Sequence, residues 1–223
     1  MPKSEPSAGS RAARSTQPLR TRAYDELKES LLDGSFAPGT LLSERKLAST
    51  FGMSKTPVRA ALERLEGEGF LTISPQQGVL VRELSIREIV DQYELRECVE
   101  PFVLSKLAGR LDPDQVARVR DHLSDQRRAL SDGELSRFTR LDGEFHVLFC
   151  EFHGNEEIAS MMAHLREKIL RVSVQLAERF RERPAESLAE HERIAEAVIS
   201  GDSCGAAEAV RVHIEAGRRG ILS

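Results

Sequence analysis

Residues 43–64 have the sequence SERKLASTFGMSKTPVRAALER, which predicts two short helices joined by a tight turn. Ser43 and Ser54 each stand where a hydroxyl can cap the N-terminus of a helix. Gly52 is expected to end the first helix, because that position suits positive φ, which glycine adopts without steric strain. Pro57 falls in the first turn of the second helix, where its missing N–H group costs nothing.

The spacing of apolar residues predicts which face of each helix is buried. They recur at helical intervals, as Leu47, Ala48 and Phe51 in the first helix and Val58, Ala61, Leu62 and Leu65 in the second. This leaves Lys55, Thr56 and Arg59 on the outer face of the second helix, near its N-terminus. A short helix with cations and a hydroxyl at its exposed start suits the major groove of DNA.

Residues 54–62, SKTPVRAAL, are similar to the S-R-T-P-V-R-x-A-L signature of the GntR family of bacterial transcription regulators. The similarity extends as a spaced pattern from about Leu19 to Val81. It implies a winged helix-turn-helix DNA-binding domain, which we expect to occupy residues 18–83.

Two residues depart from the family pattern, since Lys55 stands where arginine is usual and Ala60 where glutamate is frequent. Lysine cannot form the bidentate contact of arginine, so we expect base reading at Lys55 to be weaker or shifted toward phosphate contact. Arg59 is the candidate for reading a base edge, that of a guanine. The candidates for holding phosphates or adjacent bases are Arg45, Ser54, Lys55 and Thr56.

A first helix over residues 19–34 and a wing after the helix pair complete this domain. Residues 70–74 and 79–82 alternate between apolar and polar side chains, and the turn 75–78 between them predicts a two-stranded hairpin. Gly78 is a candidate DNA-contacting residue, because a missing side chain would let the backbone approach the minor groove. Simple turn chemistry explains Gly78 equally well, and the two interpretations are compatible.

Composition is that of a globular chain of one or two domains, with 223 residues, 40% of them hydrophobic and 30% charged. The formal net charge of −4 argues against a general nucleic-acid coat protein. Residues 1–84 carry twelve Lys and Arg against ten Asp and Glu, whereas residues 85–223 carry twenty against twenty-six. This asymmetry fits a DNA-reading head on an acidic regulatory body, although charge alone does not distinguish it from chance.

Three features favour a cytoplasmic protein. Cys98, Cys150 and Cys204 form no metal or disulfide motif and are expected to be reduced. Residues 1–17 lack the apolar run of a signal peptide, and no stretch approaches the roughly 20 apolar residues that cross a bilayer. Residues 1–17 predict a disordered basic tail, which either touches phosphates or is inert.

From residue 85 onward the strand signals end and an all-helical domain is expected over residues 85–220, built as an antiparallel bundle. A capping box at Ser85 and Glu88 marks its beginning. The six predicted helices cover about 85–109, 113–130, 132–152, 155–182, 186–200 and 203–220.

Four residues of this domain form a candidate metal site. Asp142 and His146 are four residues apart, which places them on one helical face, and His191 and His213 occupy the last two helices. One carboxylate and three imidazoles suit a borderline divalent cation such as Zn²⁺, Ni²⁺ or Mn²⁺. Spacing alone also fits ordinary core histidines, which are the commoner case.

Residues 85–220 are similar to the FCD effector domain, the all-helical partner of GntR heads, in its shorter six-helix form. The similar segments are Tyr93–Arg96 with Glu100, Leu141–His146, His153–Asn155, Ser187–His191 and the positions through His213. The resemblance implies that Asp142, His146, His191 and His213 are the metal ligands. It also implies an effector that is a small organic acid.

Arg96 matches a family position that faces the effector pocket, where its guanidinium would bind a carboxylate. The alternative is an ion pair with Glu100, four residues later. His122, His153 and His164 are assigned to surface or capping roles. Arg166 and Arg171 either reach the pocket or lie on a solvated face, and we favour the solvated face. A solvated helix end is expected for the charged run after them, namely Glu178, Arg179, Arg181, Glu182 and Arg183.

These predictions together indicate a ligand-responsive, dimeric transcription regulator whose two heads read an inverted repeat in double-stranded DNA. A repressor is expected because repressors are frequent in the family. Two other classes stay open, a metal-dependent hydrolase and a structural helical interaction module. The sequence offers the hydrolase no catalytic base at a sensible offset, since Glu144 is two residues from both Asp142 and His146.

Overall fold

The computed structural model describes residues 18–75, 78–176 and 183–222, so the predicted tail at 1–17 lies outside the described residues. The chain divides into two compact units, one containing residues 18–31 and 35–83, the other residues 32–34 and 84 onward.

The first unit is a winged helix-turn-helix. Its strands form an antiparallel sheet in the order β1-β3-β2, with Leu41 opposite Leu80 and Ile73 opposite Val79. The elements are α1 (Leu19–Leu32), β1 (Leu41–Leu42), α2 (Glu44–Thr50), α3 (Lys55–Gly67), β2 (Leu71–Ser74) and β3 (Gly78–Val81).

The predicted packing of the helix pair is confirmed. The apolar residues of α3 are buried, and Gly52 has φ of +62° in the turn between α2 and α3. The predicted side-chain caps are wrong, because Ser43 and Ser54 occupy the N-cap positions without a side-chain cap hydrogen bond. Both residues are exposed, so water can satisfy the first N–H groups of these helices.

The wing differs from the predicted two-stranded hairpin, because β1 adds a third strand. The turn at Gly39 brings the chain back alongside β3, and the Gly39 N–H donates to the Val81 carbonyl at 2.9 Å. Gly78 has φ of +98°, and a Cβ atom there would lie 2.9 Å from the carbonyl oxygen of Leu42. The pairing of β1 with β3 therefore requires glycine at this position whether or not DNA approaches it.

Within the described residues, the second unit contains the six helices that were predicted. The capping box at Ser85 and Glu88 is confirmed. Their bounds are α4 (Ile86–Leu107), α5 (Pro113–Ser131), α6 (Leu135–His153), α7 (Glu156–Leu176), α8 (Arg183–Ser200) and α9 (Ser203–Leu222).

Several helix boundaries differ from the prediction by two or three residues, and three of them have a local explanation. Helix α1 ends at Leu32, two residues early, because Gly34 has φ of +82°. Helix α6 begins at Leu135 rather than residue 132, because Gly133 has φ of +72°. Helix α8 begins at Arg183 rather than residue 186, since Pro184 is tolerated in a first turn. The predicted end of α7 at residue 182 lies outside the described residues.

The core of the second unit brings distant helices together. Helix α4 packs on α9, α6 on α7, and α8 on both α9 and α5. Phe138 and Phe145 of α6 and Ile194 of α8 are almost completely buried at the centre. Among the helices of the described residues, none has the combination of length and apolarity that crossing a bilayer needs.

Candidate functional site

The four predicted metal ligands converge in the core of the second unit. Helix α6 supplies Asp142 and His146 on one face, α8 supplies His191 and α9 supplies His213. One ligand atom from each of the four lies within 4.8 Å of the others. The three imidazoles are buried, whereas the side chain of Asp142 is 29% exposed.

Each imidazole is held at its Nδ1 atom by an acceptor oxygen. The Nδ1 atoms of His146, His191 and His213 lie 2.7, 2.8 and 2.7 Å from oxygens of Glu100, Gln126 and Glu190, in that order. A carboxylate or amide oxygen only accepts, so Nδ1 carries the proton and Nε2 keeps its lone pair. Such outer partners orient metal-ligating histidines in proteins.

The ligand atoms that these Nδ1 hydrogen bonds leave available fit a divalent cation. The Nε2 atoms of His146 and His191 are buried and have no hydrogen-bond partner within the described residues. Nε2 of His191 lies 3.7 Å from a carboxylate oxygen of Asp142, which also accepts a hydrogen bond from the Ser187 hydroxyl. Buried imidazole nitrogens without a partner are costly, and a cation bound by them and by Asp142 would remove that cost.

Burial keeps two of the candidate ligands, His146 and His191, in the form that binds metal. It lowers the pKa of His146 to about 4, although Glu100 opposes this shift, and it holds the pKa of His191 well below 6.5. Burial acts in the opposite sense on Glu100, but Arg96 and His146 hold the pKa of that carboxyl well below its usual range. The imidazoles of His146 and His191 are therefore neutral and the supporting carboxylate of Glu100 is ionised near neutral pH.

Arg96 forms the ion pair with Glu100 and also lines a cavity. Its Nε donates to Glu100 at 2.6 Å, while its Nη2 is buried without a hydrogen-bond partner among the described residues. Arg96 also lines a cavity of about 110 Å³, together with Asp142 and His213. A guanidinium edge beside the candidate metal ligands suits the carboxylate of a small molecule.

The solvated positions predicted for three arginines are wrong. Arg183 lines the cavity and binds Glu190 with two hydrogen bonds, of 3.0 and 2.7 Å. Arg171 is buried, and Arg166 lies against a smaller cavity beside His146. The neighbouring residues with which they were grouped lie outside the described residues, namely Glu178, Arg179, Arg181 and Glu182.

The remaining histidines are placed as follows. His164 is exposed, as predicted, and the ring of His153 packs edge-on against Phe102. His122 is half-buried, and its Nδ1 lies 3.1 Å from the amide nitrogen of Gln126, so it belongs to the surroundings of His191.

Sequence reasoning missed Gln126 and Glu190 as outer partners. Gln126 lies 65 positions before His191, and only the packing of α5 on α8 brings the two side chains together. Glu190 precedes His191 directly in the sequence but holds the ring of His213 on the next helix. A signal was available for Arg183, because Arg183 and Glu190 lie two helical turns apart on one face.

The candidate DNA-contacting residues of the first unit are exposed, apart from Gly78, which is half-buried. Arg59 is fixed by Glu44, the first residue of α2, whose carboxylate accepts from Nε at 3.1 Å and from Nη2 at 2.9 Å. The bidentate pair holds the guanidinium in one direction on the outer face of α3.

A winged helix-turn-helix unit joined to a helical unit with a histidine and aspartate cluster is the arrangement of a DNA-binding transcription regulator. Residues 19–81 match the model of bacterial regulatory proteins of the gntR family, and residues 91–216 match that of the FCD domain. The chain belongs to the GntR family of transcriptional regulators, within which it carries an FCD domain.

Similar proteins are regulators as well. A helix-turn-helix transcriptional regulator from an unstable DNA locus of Streptomyces ambofaciens is 35% identical over 202 residues, covering 88% of this chain and 82% of that protein. The transcriptional repressor RspR of Escherichia coli is 29% identical over 157 residues, or 70% and 69% of the two chains. A GntR regulator from Rhodococcus sp. RHA1 shares the fold, with a TM-score of 0.80 at 23% identity over 91% and 97% of the chains.

Proposed function

We propose that this protein is a metal-dependent sensor of a small organic acid that represses transcription by binding an inverted-repeat operator as a homodimer. The convergence of Asp142 with three buried imidazoles, beside the unpartnered guanidinium nitrogen of Arg96, is the observation that carries the proposal. A protein that controls transcription works where bacterial DNA is, so we place it in the cytoplasm.

In this proposal Asp142, His146, His191 and His213 hold the cation, which is Zn²⁺, Ni²⁺ or Mn²⁺ by the hardness of the ligand set. The bound cation would supply a Lewis-acidic position for an oxygen of the effector. Arg96 binds the carboxylate of the effector, while Glu100, Gln126 and Glu190 keep the imidazoles in place.

Binding of the operator is assigned to the outer face of α3. Arg59 reads a guanine edge, and Arg45, Ser54, Lys55 and Thr56 hold phosphates or adjacent bases, with the wing at Gly78 toward the minor groove. The effector alters operator affinity only as far as it binds one arrangement of the dimer better than the other.

Two observations argue against the hydrolase alternative. Glu144, the acid nearest to Asp142 and His146 in the sequence, is paired with Arg166, whose Nη2 donates to its Oε1 at 2.5 Å. Similar proteins are described as regulators rather than enzymes. The same comparisons disfavour a purely structural module, which would have no operator.

The test is operator affinity measured by fluorescence anisotropy, with a panel of organic acids, on the metal-loaded and the chelator-treated protein. We expect at least one acid to weaken operator binding by tenfold or more in the metal-loaded protein and to have no effect after chelation. An acid response that survives complete removal of metal would overturn the metal-dependent mechanism. Turnover of any acid in the same mixtures would favour the hydrolase.

A further inference from the structure

The cavity beside Arg96 continues toward a second arginine. A smaller cavity of about 30 Å³ borders the one already described, and Arg96, Asp142 and Ser173 line both. Arg166 of α7 lines this smaller cavity as well. The space next to the candidate metal ligands Asp142 and His146 is therefore lined by two arginines.

Arg166 is directed across α6 by a glycine. A Cβ atom at Gly143 would lie 2.8 Å from Cγ of Arg166, so only glycine leaves room for this side chain. Its Nη2 donates to Glu144 at 2.5 Å, which holds one edge of the guanidinium. The Nε atom is buried and lacks a hydrogen-bond partner within the part of the chain that the structure describes.

Two guanidinium groups thus share one unusual condition. Arg96 and Arg166 are each tied to a glutamate through one nitrogen and each keep a second nitrogen buried and unpartnered. A buried charged donor without an acceptor costs free energy, which a ligand oxygen at that position would recover. A single ligand carboxylate beside Arg96 would leave Nε of Arg166 without an acceptor. The two arginines therefore match a ligand that carries two carboxylates.

Apolar side chains form much of the wall of the smaller cavity, namely Val147, Met162, Ile169 and Leu170. Hydrocarbon surface suits a short carbon skeleton that carries its charges at the ends.

We infer that the effector is a short dicarboxylate, with one carboxylate at Arg96 beside the metal ligands and the second carboxylate bound by Arg166. This inference rests on the proposed function, which requires only an organic acid, and adds its class. Arg166 is then the residue that distinguishes dicarboxylates from monocarboxylates.

The test uses L-lactate and L-malate, because malate has the 2-hydroxy acid group of lactate plus one further carboxylate. Isothermal titration of the metal-loaded wild-type protein should show malate binding about tenfold or more tightly than lactate. Arg166→Gln should remove this difference by weakening malate while leaving lactate unchanged. Arg96→Gln should weaken both acids.

Matched variants separate the role of Arg166 from loss of charge or fold. Arg127→Gln removes an arginine from another pair, in which Nη2 of Arg127 lies 2.5 Å from Glu192, and should bind malate like the wild type. Arg166→Lys keeps the charge without the planar Nε donor and should retain only part of the preference. Circular dichroism of each variant confirms that it is folded.

The outcomes distinguish this inference from the proposed function. Equal affinity of the wild type for lactate and malate, or an equal loss of both in Arg166→Gln, would overturn the dicarboxylate assignment and leave an acid sensor intact. Binding of neither acid would likewise overturn the dicarboxylate assignment, whereas acid binding that is unaffected by removal of metal would contradict the proposed function itself.

Discussion

At the scale of single residues, the outer partners of the three imidazoles are not equivalent. His146 and His213 are held by carboxylates, whereas His191 is held by the amide of Gln126. Gln126 is completely buried, and its other amide atom lies 3.1 Å from Nδ1 of His122. The orientation of His191 therefore depends on one neutral residue that is held between two rings.

Replacing Gln126 with leucine should lower metal affinity. The change leaves Nδ1 of His191 without an acceptor, and loss of such an outer partner weakens metal binding by about 10- to 100-fold. Competition against a chromophoric chelator measures this affinity. Gln126→Glu keeps an acceptor oxygen and serves as the matched control. Wild-type affinity in Gln126→Leu would show that the amide does not support the site.

Replacing Arg59 with alanine should cost about 1–3 kcal/mol of specific operator binding, since a base contact by arginine is worth that much. The measurement is anisotropy with an operator duplex and a scrambled duplex at fixed salt concentration. Arg87→Ala removes the same charge from an exposed pair with Asp91 on α4 and should bind like the wild type. An unchanged footprint for Arg59→Ala would mean that another residue reads the operator.

At the scale of elements, the wing depends on one backbone conformation. Gly78→Ala should destabilise the first unit by about 1–3 kcal/mol, because alanine is strained at φ of +98° and its Cβ would meet the Leu42 carbonyl. Denaturant unfolding followed by circular dichroism measures the change.

Gly67→Ala is the contrasting substitution in the same unit. Gly67 ends α3, and a Cβ atom there meets nothing within 4 Å, so alanine should be neutral or stabilising by up to about 1 kcal/mol. Equal effects of the two substitutions would contradict the requirement for glycine in the wing.

Helices could be predicted from the sequence where residues that are close together in the chain determine them. The capping box at Ser85 and the apolar spacing of α3 each act within a few residues. Strand β1 escaped prediction, because two residues show no alternation and its pairing with β3 is a contact between distant segments. The predicted start of α6 was early because Gly133 turns the chain before the helix begins.

At the scale of the whole molecule, the sequence predicted the candidate metal ligands more completely than it predicted the residues that contact them. Asp142 and His146 form a local pair, the spacing of His191 and His213 on the last two helices indicated the same site, and the family resemblance supported all four. Arg183 was taken for a solvated residue because charges alternate around it, yet packing places it at the cavity beside Glu190. Partners that are brought together only by helix packing leave no periodic signal in the sequence.

The central claim is that four side chains from three helices hold one divalent cation. Elemental analysis of the purified wild type and His191→Ala, each shown to be folded by circular dichroism, tests it most directly. The account predicts about one Zn, Ni or Mn ion per chain in the wild type and a clear loss of metal in His191→Ala. Full metal occupancy in that variant, or a wild type that takes up no metal even when supplied with it, would contradict the account.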